Sequence, residues 1–149
     1  MTLDRDTEQM SETPGPGRFA ALDRSECLDL LRSQRVGRVG FHEPTGSGTT
    51  TVAMLPVSYT LVGDSVIGIV TSAAGVLATL GTPGQQVGFE IDDVDVETAT
   101  GWSVLAACHT ESIDPDLVAG LEPWAGGHRS VPIGLRIDRL SGRIVSRAE

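Results

Sequence analysis

Lysine is absent from this 149-residue chain, so its 11 basic residues are all arginine, against 20 acidic residues and a formal net charge of −9. Nucleic acid and anionic membrane both require a basic face, and this balance argues against either partner. Any phosphate group must be held by arginine, hydroxyls or backbone amides. Aromatic residues are only 4% of the chain, so Val, Leu, Ile and Ala must fill the core. There are two cysteines, Cys27 and Cys108, without CxxC spacing, which leaves a disulfide framework or a zinc site unsupported. They read as buried thiols in a reducing cytosol. No apolar run is long enough to span a bilayer. The opening MTLDRDTEQM is polar and acidic, unlike a signal peptide, so the expected compartment is the cytoplasm.

What is present centres on Val52 to Leu80, which reads as strand, tight turn, strand and short helix. Val52 to Val62 and Ser65 to Val70 are apolar and β-branched, with Gly63-Asp64 between them as a hairpin turn requires. Thr71 and Ser72 stand where a helix N-cap is wanted, ahead of Val76, Leu77 and Leu80. A strand running into a capped helix start leaves backbone N–H groups free to face an anion. Pro56 cannot donate to a strand ladder, so it marks an edge or a bulge where a flat ligand could approach the backbone.

The rest of the chain supports one domain over residues 22–149, preceded by a flexible arm over residues 1–21 that ends in Pro14-Gly15-Pro16-Gly17. Leu22 to Gln34 reads as a helix, with Asp23 and Glu26 as a capping box. Val36 to Phe41, Gln86 to Ile91, Gly101 to Ile113, Val131 to Leu140 and Arg143 to Arg147 read as further strands. Asp92 to Thr100 reads as an acidic loop, Glu122 to Arg129 as an irregular loop, and Ser141-Gly142 as a turn. Asp114 caps a short helical stretch opened by Pro115. Hairpin-length connections make the expected fold mainly β: six or seven antiparallel strands in a small barrel with short helices.

In order and spacing, these segments resemble the pyridoxamine 5'-phosphate oxidase-like, FMN-binding split-barrel family, in an actinobacterial branch. The resemblance is carried by LDRSECLDLLRSQRVGRVGF, LPVSY at Leu55 to Tyr59, VGDSVIGIVTSAAGVLATL at Val62 to Leu80, and VGFEIDDVD at Val87 to Asp95. GWSVL at Gly101, PWAGG at Pro123 and LRIDRLSGRI at Leu135 complete it. It implies a split β-barrel homodimer with a flavin site at the subunit interface and a small-molecule ligand there. The PVxY-like segment then places Pro56, Val57 and Ser58 along the isoalloxazine ring. The family's phosphate segment carries an arginine and a threonine at a strand end and a lysine on the following helix. Thr71 matches the threonine, with Ser72 beside it, but Val70 and Val76 stand at the two cationic positions. Arg129, Arg136 and Arg143 are candidates to supply the missing charge. Trp102 and Ser103 resemble residues that approach the flavin, and Trp124 and Arg129 resemble a late ligand-facing loop.

Plainer roles compete with each of these. Thr71 and Ser72 can be a simple helix cap, Pro56 to Ser58 an edge bulge at a dimer interface, and both tryptophans packing residues. His42, His109 and His128 show no metal spacing. His109 follows Cys108 on a strand, so the two side chains should point to opposite faces. Three functional readings stay open. The first is a flavin-dependent oxidoreductase acting on a small cytosolic substrate, with FMN supplying the chemistry. The second is a non-catalytic dimeric binding or regulatory module that has lost the flavin phosphate site. The third places a deazaflavin, or haem with His109 as the ligand to examine first, in the same cleft.

Overall fold

In the computed structural model, buried and more exposed residues alternate over 36–42, 86–92 and 103–111, so that Val39 and Phe41, Phe89 and Ile91, and Val104 and Ala106 turn inward, while Val66–Ser72 is buried at every position. Residues 18–72, 76–121 and 130–147 are described. The strands are β1 (Arg18–Leu22), β2 (Val36–Pro44), β3 (Thr50–Val62), β4 (Val66–Ser72), β5 (Gln86–Asp95), β6 (Thr100–Glu111) and β7 (Ser130–Ser146). They form one 7-stranded antiparallel sheet in the order β1-β7-β4-β3-β2-β5-β6, and β7 also pairs with β6. That last pairing closes a ring of six strands, with β1 added at the end of β7. The mainly β, antiparallel split-barrel expectation is met.

Three segments differ from the sequence expectation. Ser141-Gly142 is not a turn: β7 runs unbroken for 17 residues. Glycine is needed there for close approach, since a Cβ on Gly142 would lie 2.7 Å from Cys27 Sγ and 3.1 Å from the Ser103 carbonyl oxygen. The acidic stretch from Asp92 is mostly strand, because β5 continues to Asp95 and pairs residue by residue with β6. Only the reversal between Asp95 and Thr100 is loop, held by Asp95 Oδ1 accepting from the Glu97 and Thr98 amides at 3.0 and 3.3 Å. Arg18 to Leu22, where the arm was expected to end, pairs with Ser146 to Gly142 of β7. The rest of the arm, and the loop Glu122 to Arg129 with Trp124, lie outside the described residues.

Helix α1 (Arg24–Ser33) starts as its sequence dictates. Asp23 Oδ1 accepts from the Glu26 amide at 2.8 Å, and Glu26 Oε1 accepts from the Asp23 amide at 2.9 Å. Its buried face is Cys27, Leu28 and Leu31. The buried Tyr59 hydroxyl donates to the Leu31 carbonyl at 2.6 Å and so fastens the helix to β3. On the solvent side Arg32 reaches the Asp64 carboxylate at 2.7 Å and Arg24 the Asp64 carbonyl at 2.8 Å, in the β3–β4 turn where Gly63 adopts φ 60.

The core packs Tyr59 edge-on against Phe89, with ring centroids 4.9 Å apart and an interplanar angle of 72°. Such a pair contributes ~0.5–1.5 kcal/mol beyond its buried area. Gly37 makes room for it, because a Cβ there would overlap the Phe89 ring. The Gly37→Ala variant is therefore expected to lose about 1–3 kcal/mol, read as a lower urea midpoint at unchanged slope. Gly40→Ala, whose new Cβ would meet Met54 Cγ at an ordinary 3.6 Å, is the control and should stay within about 0.5 kcal/mol of the parent.

Candidate functional site

The β3–β4 ladder is short. It joins Tyr59 to Val62 with Ile69 to Val66 and then ends. Beyond Tyr59, β3 stays paired with β2 as far as Thr50. Beyond Ile69, β4 stays paired with β7 as far as Ser72, opposite Ser130. The two strands are held by different neighbours and part, leaving a fork. Its lips are Pro56, Val57 and Ser58 on β3, and Val70, Thr71 and Ser72 on β4. The structure thus brings together two of the segments singled out from sequence. Among the described residues no strand covers the fork-side edge of β3 from Thr50 to Ser58, so exposed Pro56 is an edge proline as expected.

The β4 lip departs from expectation. Thr71 and Ser72 are the last residues of β4, and the described segment after them, Val76–Gly81, is a 3-10 turn rather than an α-helix; the amides they were expected to cap lie outside the described residues. Thr71 is 4% exposed and its hydroxyl donates to the Ser72 carbonyl at 3.3 Å. Val70 is buried and apolar. Phosphate is held most strongly by cationic donors, and the described side chains of this lip include none. The described part of this lip therefore offers a phosphate no side-chain charge, and the facing edge of β3 has no ladder partner among the described residues.

The other predicted residues lie elsewhere. Trp102 and Ser103 are half-buried on β6, three strands from β3, opposite Asp93 and Asp92 on one side and Ile144 and Arg143 on the other. They line a small cleft of about 320 Å³ with Val94 and Val145. Trp124 and Arg129 lie outside the described residues. Arg136 is committed to Glu111 through two hydrogen bonds of 2.7 and 3.0 Å, and Arg143 lies 5.9 Å from the Phe19 ring centroid. Neither faces the fork.

Two features were missed from sequence. One is a cleft of about 780 Å³ between the end of α1, the outer side of β3 from Ser58 to Leu61, and the 3-10 turn Pro115–Val118 with the residues after it. Arg32 and Arg35 both line it, and their spacing in a lysine-free chain was the only signal available. The other is a β-bulge: Ala107 faces Arg139 but Cys108 faces Ile137, so Asp138 is an extra residue on β7. Its carboxylate oxygens lie 2.9 and 3.0 Å from His109 Nδ1. As alternation required, Cys108 points inward and His109 outward. Burial pushes the Cys108 thiol up to about 12, helped by Asp138, and raises Cys27 as well, so both behave as inert thiols. Among the described residues no group of three or more His, Cys, Asp or Glu could hold a metal ion, and no helix is long and apolar enough to cross a membrane.

Comparisons with known proteins agree with this architecture. A family model described as pyridoxamine 5'-phosphate oxidase matches residues 23–144. An uncharacterised Mycobacterium tuberculosis protein, Rv0080, is 33% identical over 134 residues, covering 84% of this chain and 85% of the relative. An FAD binding protein from Mycobacterium smegmatis superposes with a TM-score of 0.64 at 24% identity, over 83% of this chain and 98% of its own. An FAD and heme binding protein from the same organism superposes at 0.59 and 15% identity, over 85% and 72%. At these identities the structural matches establish the fold.

On the outer face beside the fork, Arg38 of β2 sits opposite Glu90 of β5 and bridges it to Asp92, with Nη1 3.4 Å from Glu90 Oε1 and 3.7 Å from Asp92 Oδ1. Burial pushes the Glu90 carboxyl up to about 7, and hydrogen bonding and charge from Asp92 add to the shift, while Arg38 opposes it. Folded Glu90 therefore keeps its proton to higher pH than in the unfolded chain, whose ordinary value is 4.5. Its stabilisation is full below about 4.5 and is lost as pH rises through about 7. Glu90→Gln is expected to flatten the fall in stability between those pH values, measured by urea denaturation across the range. An unchanged slope would contradict this.

Proposed function

We propose, from the premise that the chain belongs to the pyridoxamine 5'-phosphate oxidase family, that it is a flavin-binding split-barrel protein which transfers electrons to a small cytoplasmic substrate. The β3–β4 fork is the observation that carries the reading. It presents an uncovered backbone edge at Pro56 to Ser58, a buried apolar wall at Val57 and Val70, and no titratable side chain on either lip. A bound flavin supplies hydride or two-electron chemistry by itself, so a site without an acid or base is compatible with such an activity. The protein's own part is to bind and orient the ring and to exclude water from it.

Pairing of two copies belongs to the same reading. On the outer face Gly40, Val52, Gly88 and Ala107 line a hollow of about 650 Å³ together with His42, Asp138 and Arg139, with exposed Met54 and Leu105 nearby, and in this reading a second copy packs over it in an isologous contact. In such a dimer Trp102 and Ser103 would reach the ligand from the partner, which accounts for their distance from the fork within one chain.

A second reading follows from Val70 and the buried Thr71. With no described charge on the β4 lip, the protein would be a dimeric binding module without flavin, or one holding haem or a deazaflavin in the cleft. The visible spectrum of the full chain, loaded with excess FMN and desalted, separates the readings. A retained yellow flavin band is the expected result. A colourless protein would move the assignment to the binding module, and a Soret band to haem. Sedimentation at micromolar concentration should give a dimer, and a monomer would overturn the shared-site arrangement.

A further inference from the structure

We propose that the cleft between the end of α1, β3 and the Pro115–Val118 turn is an oxyanion site, in which Arg35 holds the phosphate group of a small ligand whose apolar body lies against Leu117 and Leu121. The proposal goes beyond the flavin reading and stands on the cleft itself. FMN is one source of such a phosphate, and a separate phosphorylated molecule is the other.

The local chain path aims the charge. After Ser33 the backbone leaves the helix through Gln34 in extended conformation, φ −110 and ψ 162. The Arg35 carbonyl then accepts from the Tyr59 amide at 3.1 Å, which pins Arg35 beside β3. Tyr59 points into the core, so its neighbours Ser58 and Thr60 point to the other side, and both line the cleft with Arg35. Arg35 thus lines the cleft along with hydroxyl-bearing residues, and its guanidinium is a donor matched to an oxyanion.

The ion-pair pattern separates Arg35 from the arginine one turn earlier. Arg32 also lines the cleft, but lies 2.7 Å from the Asp64 carboxylate and 3.6 Å from Asp29. Arg35 has no acidic partner among the described residues. In a chain with 20 acidic and 11 basic residues, an unpaired cation facing a cavity is left over for something outside the chain. The opposite wall is apolar, and Leu117 on it is 50% exposed. At about 780 Å³ the space suits a cofactor-sized or metabolite-sized molecule with one charged end.

The test uses the full-length protein, labelled with nitrogen-15. Inorganic phosphate is titrated at constant ionic strength while the Arg35 side-chain Nε–Hε resonance is followed, with sodium chloride as the blank. The expected result is a saturable shift with phosphate only. Arg35→Gln should weaken phosphate binding about tenfold or more, and Arg35→Lys, which keeps the charge but not the fork, should recover part of it. Thermal melts of both variants establish that they fold, and the wild-type titration stands without either. FMN and riboflavin then separate the two sources. If FMN shifts Arg35 and riboflavin does not, the flavin's phosphate occupies the site. If inorganic phosphate shifts Arg35 while FMN does not bind, the site stands, its ligand is a different phosphorylated molecule, and the flavin reading fails. No saturable shift with phosphate, or an Arg35→Gln variant that binds it as well as wild type, would overturn the proposal.

Discussion

Backbone hydrogen bonding along both edges of β7 closes this fold, and the cleft follows from how that bonding is shared. β6 runs beside β7 from Gly134 to Val145, while the opposite edge is divided between β4, up to Arg136, and β1, from Gly142. β4 is thus drawn towards β7 as far as Ser72. β3 is drawn the other way, because β2 pairs with it back to Thr50. The ladder between them ends at Tyr59 and Ile69, and beyond that each strand keeps only its outer neighbour. Among the described residues the β3–β4 ladder leaves the facing edges of its strands open beyond Tyr59 and Ile69, and the β2–β5 ladder, three residue pairs long, is the other short seam of the ring. The opening is a consequence of closure elsewhere.

The charge distribution completes the picture of a site poor in charge and an exterior rich in it. Arg38 with Glu90 and Asp92, Arg136 with Glu111, and Asp138 with His109 all lie on the outer face. At their exposure each contributes little to stability, roughly 0–1 kcal/mol. Their effect is to consume arginines that could otherwise meet a ligand. The described side chains of the fork lips are hydroxyls and apolar groups, and the charge available near β3 comes from the end of α1.

Much of this was legible along the chain because it is local chemistry. The Asp23–Glu26 capping box, the Gly63-Asp64 turn, the Asp114 cap before Pro115 and the edge position of Pro56 each follow from the residues within a few positions. The errors have one source, long-range pairing overriding a local signal. Ser141-Gly142 looks like a turn, yet Gly142 is small because Cys27 of α1 lies over it. The acidic run after Ile91 looks like a loop, yet residues 100–103 of β6 pair across from it.

By itself the sequence determined the mainly β, hairpin-linked character, the capped start of α1, the lysine-free composition and the family pattern, since each is written in neighbouring residues or in composition. Only the tertiary structure decided that β3 and β4 part where they do, that Pro56 to Ser58 and Val70 to Ser72 face each other across that gap, and that Trp102 stands apart. It also decided that Arg35 faces a cavity while Arg32 is paired. These outcomes depend on contacts between residues dozens of positions apart, whose geometry is set by which strand edges remain free once the ring has closed.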